Sequence, residues 1–204
     1  EQRELIEAQV KTLHQEGQLQ EAAAVAVRGY GPEILGFLMA LMRDEQDACD
    51  VFSQFSEDLW RGLEGFRWQS SFRTWAYTLA RNASHRFRRT HGRARQRQVP
   101  LENDKIVHDV AHEVRSATLP FLRTEVKDRF ASLRDTLTAD DQTLLILRID
   151  RKMSWREIVE VMNPEMDDAQ MKARAAMLRK RFERLKMKLK EIAEREGLLG
   201  DEQG

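Results

Sequence analysis

Two separated segments of the chain carry side chains whose types and spacing could bind nucleic acid. The first mixes arginines and an asparagine with aromatic residues: Phe66, Arg67, Trp68, Phe72, Arg73, Trp75, Tyr77, Arg81, Asn82, Arg86, Arg88 and Arg89. Aromatic faces stack on unpaired bases, and guanidinium groups bind the phosphate backbone. This mixture favours single-stranded or melted nucleic acid over the readout of a duplex alone. The alternative is that Phe72, Trp75 and Leu79 only form the apolar stripe of a helix.

The second segment has the parts of a helix-turn-helix: a short helix at 155–162, a turn at 163–167 and a second helix near Asp168. Small and polar residues open the second helix and could approach base edges and phosphates. An ordinary helical hairpin with a basic face is the alternative, but the cap, the turn and the charges together favour DNA binding.

Residues that could support catalysis or hold a metal are few. His108 and His112 have helical i, i+4 spacing, but the residue after His108 is not the Glu of a zinc protease and no third ligand is evident. The Gly-Tyr-Gly run at 29–31 lacks the rest of a nucleotide-binding turn, and Cys49 has no obvious histidine partner. We therefore expect no enzyme, no cofactor and no metal.

The charges are segregated along the chain although they cancel overall, with 34 Lys or Arg and 34 Asp or Glu. Residues 66–100 contain nine arginines and no acid, and residues 172–190 contain nine basic residues and one acid. Residues 1–65 carry a net charge of −8. Two cationic segments beside acidic ones suggest a polyanion held at two places; two solvated helix faces are the alternative.

Length and composition limit the class of protein. The 204 residues allow one or two small domains. No stretch approaches the roughly 18 apolar residues of a membrane span, and the acidic first residues do not resemble a signal peptide. The single cysteine excludes an internal disulfide and favours a reducing, cytoplasmic setting.

The spacing of apolar residues predicts an all-α fold. Helix-forming residues dominate and strict alternation is absent. Helices are expected at 45–63, 72–89, 140–149, 155–162 and 168–195, with another that starts at Pro32. A short helix around 107–114 and one at 120–133 are also expected. The predicted N-caps are Ser70 or Ser71, Thr138, Ser154 in a capping box with Glu157, and Asp168.

These helices are predicted to form two small domains, at 26–97 and 123–196. A flexible, charged linker at 98–122 joins them. Residues 1–25 are expected to be an N-terminal extension, and residues 197–204 a C-terminal tail.

The run Ser-Phe-Arg-Thr-Trp-Ala-Tyr-Thr-Leu-Ala-Arg-Asn at 71–82, with Arg-Phe-Arg-Arg at 86–89, resembles regions 2.3–2.4 of extracytoplasmic-function (ECF) sigma factors of bacterial RNA polymerase. Residues 47–60 resemble region 2.2. Residues 133–182 resemble region 4, a helical helix-turn-helix domain. The matching motifs occur in the correct order.

The resemblance implies a non-catalytic subunit that binds core RNA polymerase and promotes promoter recognition and melting. Region 2.2 would bind a coiled coil of the largest polymerase subunit through Asp47, Asp50, Ser53, Gln54 and Trp60. A loop at 66–71 would capture a base flipped from the −10 element, and the next helix would bind the upstream part. The residues implied in −10 binding are Phe66, Arg67, Trp68, Phe72, Arg73, Trp75, Asn82, Arg86 and Arg89.

Region 4 would read the −35 element while its apolar groove holds the polymerase flap tip. The residues implied in −35 binding are Arg156, Gln170, Lys172, Ala173, Arg174 and Arg179. Two departures from the family pattern concern this region: its turn is about two residues longer than usual, and Met-Leu at 177–178 replaces Arg-Ala.

Region 2.2 departs further: the family commonly has Asp-Ala-Glu-Asp, then Gln-Glu and then Phe, and here those places contain Cys49, Ser53-Gln54 and Ser56, which reduces the acidic contacts to the polymerase. A phosphate on Ser53 or Ser56 could restore negative charge and switch polymerase binding on; a tolerated polar surface is the alternative. A Ser/Thr kinase is therefore a candidate regulatory partner, and the resemblance to ECF factors separately implies an anti-sigma factor as another candidate.

Two other functions stay open at the level of sequence. One is a free-standing helix-turn-helix regulator with an N-terminal helical interaction domain, and the other is an enzyme with a DNA-binding tail. The arginine and aromatic segment and the acidic region 2.2 favour the sigma factor, since a repressor needs neither.

Overall fold

The computed structural model of the chain describes residues 2–42, 44–90, 105–125, 136–164 and 166–195. No strand occurs in these ranges, and the all-α prediction is confirmed. The helices are α1 (Gln2–Gln15), α2 (Leu19–Met42), α3 (Glu45–Leu63), α4 (Phe72–Thr90), α5 (Lys105–Glu125), α6 (Ala139–Leu145), α7 (Trp155–Met162) and α8 (Asp168–Arg195), with a π-helical turn (Ile146–Asp150) after α6. The chain divides into two compact units, Glu1–Leu122 and Arg123–Gly204.

Helix α2 forms the core of the first unit and packs against α1, α3 and α4. Its buried side chains include Val27, Tyr30, Ile34, Leu35, Phe37, Leu38 and Leu41. Within the described ranges it is the one helix long and apolar enough, by length and composition, to cross a membrane, and 56% of its most apolar window is buried inside the protein. Burial in a helical bundle accounts for this hydropathy.

Helix α2 begins at Leu19, and Pro32 lies inside it, so the prediction of a helix that starts at Pro32 is wrong. The segment before Pro32 is rich in alanine, the best helix former. Its buried residues Ala22, Ala23, Ala26 and Val27 join the core. Burial on both sides of the proline therefore outweighs the cost of about 3 kcal/mol for a proline in a helix interior.

Residues 2–15 form α1 and pack on α2 instead of extending away from the first unit. Ile6, Val10 and Leu13 have the spacing of one helix face, and Val10 is fully buried. Gly17 follows with a φ of +73°, and its N–H donates to the carbonyl of His14. A glycine in this left-handed conformation is a common helix end.

Part of the predicted linker also belongs to the first unit, because α5 begins at Lys105. Its buried face consists of Val107, Val110, Ala111 and Val114. Gly31 of α2 gives Val114 room, since a Cβ there would lie 2.9 Å from Val114 Cγ1. Helix α5 continues through the predicted helix start at 120. The rest of the predicted linker (98–104) and of the helix at 120–133 (126–133), and the tail (197–204), lie outside the described residues.

The second unit packs α6 and α7 against α8. The predicted caps Thr138 and Ser154 are confirmed, the latter in the expected capping box with Glu157. The cap of α8 is Asp167 and not Asp168. Asp167 Oδ1 accepts from the N–H of Gln170 at 2.8 Å, and Gln170 Oε1 accepts from the N–H of Asp167 at 3.3 Å.

We expect Ser154→Ala to lower the free energy of unfolding of the second unit by about 1 kcal/mol, because the N–H of Glu157 loses its acceptor. Ser154→Asp keeps an acceptor and should stay within about 0.5 kcal/mol of the wild type. Urea denaturation followed by circular dichroism measures both. Equal losses in the two variants would contradict the capping role.

Candidate nucleic-acid interface

Residues 66–71, here called the aromatic loop, connect α3 to α4 around a cluster of rings. Phe66 stacks on Trp75 with ring centroids 4.6 Å apart, and its ring also lies 4.9 Å from Trp68 and 5.5 Å from Phe72. Phe66 and Phe72 are buried, whereas Trp68 and Trp75 are half-buried. The two tryptophans are therefore the rings of this cluster that offer surface to a ligand.

The N-terminus of α4 is held by a carboxylate from α1 as well as by its own cap. Glu7 Oε1 accepts from the N–H of Phe72 at 2.6 Å, and Glu7 Oε2 accepts from the hydroxyl of Tyr30 at 2.8 Å. Burial and this bond raise the pKa of Tyr30 above its ordinary value. Ser71 is the N-cap, because its Oγ accepts from the N–H of Thr74. Helices α1, α2 and α4 thus meet at Glu7.

Arg73 forms a buried ion pair with Glu33 of α2. Its Nε lies 2.8 Å from Oε1 and its Nη2 lies 3.2 Å from Oε2, while the guanidinium lies over the ring of Tyr77. Arg73 is 8% exposed and Phe72 has no exposed surface. Both residues were predicted to bind the −10 element; the structure places them inside the first unit, where they support the aromatic loop and α4. Phe66, at 9% exposure, belongs with them.

The other predicted −10 residues lie at the surface of the first unit. Arg67, Arg86 and Arg89 are exposed, and Asn82 is half-buried. Arg86 donates to Asp58 of α3, which offsets part of its charge. Arg67 of the aromatic loop and Arg89 in the last turn of α4 are exposed and are not part of this ion pair.

The five residues predicted to bind the polymerase all lie on α3, and none of them is fully buried. Asp50 is exposed and accepts from Gln46 at 2.9 Å. Ser53 donates to the carbonyl of Cys49 and accepts from Arg115 Nη1 at 2.7 Å. Helix α5 therefore places a cation at one edge of this face. The remaining residues, half-buried on the same helix, are Asp47, Gln54 and Trp60.

Ser56 is 2% exposed and donates to the carbonyl of Phe52. A kinase needs access to the hydroxyl, and a phosphate at this position would have to enter the core between α3 and its neighbours. The structure thus removes Ser56 from the hypothesis of a phosphate switch.

The helix-turn-helix of the second unit presents most of its predicted residues to solvent. Gln170, Lys172, Ala173 and Arg179 are exposed, although the side chain of Gln170 is engaged in the cap of α8. Arg174 is half-buried and donates through Nε to Asn163 Oδ1 at 2.8 Å. This bond ties the start of α8 to the turn.

Two predicted cations of this unit have further contacts. Arg156 lies 3.2 Å from Glu160 and 3.3 Å from Asp168 across exposed surface. Arg179 lies over the ring of Trp155, whose centroid is 5.8 Å from its guanidinium carbon. Lys172 and Ala173 are exposed near the start of α8.

A cation-lined groove runs along α8 beside Asp141 of α6. The hydrogen bond to Asp141 raises the pKa of Arg181, which lies 2.6 Å from it. The groove concentrates positive charge on this helix, as the basic block in the sequence predicts. The basic residues that line it are Arg174, Lys180, Arg181, Arg184 and Lys188.

Sequence reasoning missed the supporting residues Glu7, His14, Glu33 and Arg115. His14 bonds to the carbonyl of Leu63 at 2.8 Å and to Trp68 Nε1 at 3.3 Å, so α1 reaches the aromatic loop. The helical spacing of apolar residues in 6–13 and the glycine at 17 were the available signals for α1. Nothing in the sequence pairs these residues with α4 or the loop.

His108 and His112, the pair that could have begun a metal site, are exposed on α5. In the ranges that the structure covers, no group of three or more His, Cys, Asp or Glu side chains could hold a metal ion.

Comparison with known proteins gives one family and two relatives. Residues 26–94 match the family model "Sigma-70 region 2". The chain is 29% identical over 144 residues to the RNA polymerase sigma-H factor of Pseudomonas aeruginosa, which covers 65% of this chain and 70% of that protein. It is 26% identical over 146 residues to the ECF RNA polymerase sigma-E factor of Haemophilus influenzae, which covers 70% and 77%.

We expect Glu33→Ala to lower the free energy of unfolding of the first unit by about 3 kcal/mol, because it leaves the buried guanidinium of Arg73 without its carboxylate. Arg3→Ala removes the exposed second partner of Glu33 and should cost less than about 1 kcal/mol. Chemical denaturation compares the two variants. A loss as small for Glu33→Ala as for Arg3→Ala would contradict the anchoring role.

Proposed function

Because this chain is an alternative sigma factor of the ECF type, which directs RNA polymerase to promoters and to initiation, we propose that its two units bind two promoter elements. The first unit would bind the −10 element through the aromatic loop and α4, and the second would bind the −35 element through α8. The observation that carries this proposal is the exposure of Arg67 next to the half-buried Trp68, and of Arg89 in the last turn of α4, in one unit, and of Lys172 and Ala173 on a helix-turn-helix in the other.

The aromatic loop supplies what promoter melting needs. Extruding a base from a duplex costs a few kcal/mol, and stacking on an aromatic side chain returns about 1–3 kcal/mol per base. Trp68 and Trp75 offer half-buried rings for this purpose, and the exposed Arg67, which precedes Trp68 in the loop, would bind backbone phosphate. Phe72 and Arg73 act indirectly, since they hold the loop and α4 in place.

Core polymerase would bind the polar face of α3 through Asp47, Asp50 and their neighbours. Exposed apolar side chains in the second unit, Ile149 and Met177, offer apolar surface for the polymerase flap tip. The chemistry of RNA synthesis belongs to the polymerase, and the sigma factor contributes binding and positioning. An anti-sigma partner would compete for these same surfaces.

A phosphate switch remains a hypothesis for Ser53 alone. Its hydroxyl lies at the edge of the α3 face, 2.7 Å from Arg115 Nη1. A phosphate there would add negative charge and bind that guanidinium directly. Unchanged polymerase affinity of Ser53→Ala, with both proteins purified from the native source, would remove the hypothesis.

Reconstituted transcription tests the function as a whole. The purified chain is mixed with core RNA polymerase and a promoter library, and the transcripts are sequenced. Specific start sites that require both components, with shared motifs near −35 and −10, are expected. Tight duplex binding by the chain alone without transcription would instead support the free-standing regulator.

We expect Lys172→Ala to weaken binding of holoenzyme to a duplex that carries the −35 element, and to reduce the slope of log affinity against log salt by about 1, because one phosphate contact is lost. Lys190→Ala, near the far end of the same helix and paired with Glu194, should leave the slope unchanged. Fluorescence anisotropy over a series of salt concentrations measures both. Equal slopes for Lys172→Ala and the wild type would contradict the contact.

We expect Asp50→Arg to weaken binding of the chain to core polymerase by at least about tenfold, because it reverses an exposed charge on the α3 face. Glu21→Arg makes the same charge change at the start of α2 and should leave affinity unchanged. Arg115→Ala removes the cation at the edge of the face and should not weaken binding. Competition binding to core polymerase measures all three, and similar losses for Asp50→Arg and Glu21→Arg would contradict the assignment.

A further inference from the structure

His14, at the end of α1, joins the last residue of α3 to the aromatic loop. Its Nε2 lies 2.8 Å from the carbonyl oxygen of Leu63, and its Nδ1 lies 3.3 Å from Nε1 of Trp68. A carbonyl oxygen only accepts and an indole N–H only donates. The two contacts fit an imidazole that donates from Nε2 to Leu63 and accepts at Nδ1 from Trp68, so each ring nitrogen has a partner.

The backbone of Trp68 needs such external support. Its φ of +56° places a bulky residue in the left-handed region, which persists only where the surroundings hold it. Lys11 Nζ lies 5.6 Å from the indole centroid and the ring of Phe66 lies 4.9 Å away. The His14 bond adds direction to these contacts, because it fixes the rotation of the indole as well as its position.

We propose that His14 is a positioning residue for promoter opening, which holds the aromatic loop in the conformation that accepts an unpaired −10 base. The inference rests on the proposed role of the loop in base capture. A loop that is ordered before DNA arrives binds more tightly, because ordering costs nothing at the moment of capture. His14 itself need not touch DNA. It acts through Trp68, whose ring is half-buried and half-open.

This role differs from a contribution to the fold. His14 is half-buried and lies outside the apolar core formed by α2 and its neighbours. Its replacement should therefore spare the α3 face and the second unit. Gln has an amide NH2 that donates and an amide oxygen that accepts on a side chain of similar reach, so it can keep both bonds, whereas Ala keeps neither.

The test uses holoenzyme reconstituted from the full chain and core polymerase, on a promoter that the wild-type holoenzyme transcribes. One DNA fragment is a fork with an unpaired −10 element, and the other is a duplex that ends before it. His14→Ala should weaken binding to the fork by about three- to tenfold, as expected for loss of the hydrogen bond that orients Trp68, and leave binding to the duplex and to core polymerase unchanged. His14→Gln should restore most of the fork affinity, and His108→Ala, at an exposed histidine of α5, should have no effect.

The outcomes separate this inference from the function on which it rests. If wild-type holoenzyme does not prefer the fork to the duplex that ends before the −10 element, base capture by this chain fails and the inference fails with it. If the wild type prefers the fork and His14→Ala does so equally, only the positioning role is overturned. Loss of core binding or a lowered melting temperature in His14→Ala, unrescued by Gln, would also overturn it in favour of a role in the fold.

Discussion

The arrangement of the first unit depends on two carboxylates that hold the start of α4. Glu33 of α2 binds the guanidinium of Arg73, and Glu7 of α1 accepts the N–H of Phe72. A buried cation without its partner is costly, so this ion pair favours the observed position of α4 against α2. That position decides where the aromatic loop ends and which arginines of α4 reach solvent.

The aromatic loop combines two demands that oppose each other. Burial of Phe66 and Phe72 supplies the packing that keeps a short loop ordered. Exposure of part of Trp68 and Trp75 leaves ring surface available for stacking on a base. Different rings meet the two demands: Phe66 and Phe72 are buried, and Trp68 and Trp75 are partly exposed. Helix α1 bonds to Trp68, whose backbone is in the unfavourable left-handed conformation. The cationic side chains follow the same division, since Arg73 is buried and Arg67 is exposed.

The two basic segments of the sequence belong to different structural units. Cations of α4 and the aromatic loop serve one unit, and cations of α8 serve the other, while acidic side chains of α3 lie on a face that the resemblance assigns to the polymerase. Internal ion pairs reduce the number of free cations, because Asp58 pairs with Arg86 and Asp141 pairs with Arg181. The number of basic residues alone therefore overstates the positive charge that is available to DNA. Arg67, Arg89 and Lys172 are exposed cations outside these two ion pairs.

Local pattern and composition determined the all-α class, the bounds of α3, the caps Thr138 and Ser154 and the resemblance to a sigma factor. These follow from helical spacing and capping, which act over three or four residues and can be read along the chain. Tertiary structure alone decided that α2 passes through Pro32, that α1 belongs to the first unit and that Arg73 faces Glu33. Each of these rests on contacts between residues far apart in sequence, where long-range burial outweighs a local rule. For the same reason the sequence could identify Phe72 and Trp68 only as two candidate stacking rings. Tertiary packing decided that Phe72 is buried in the core and that Trp68 is half-buried.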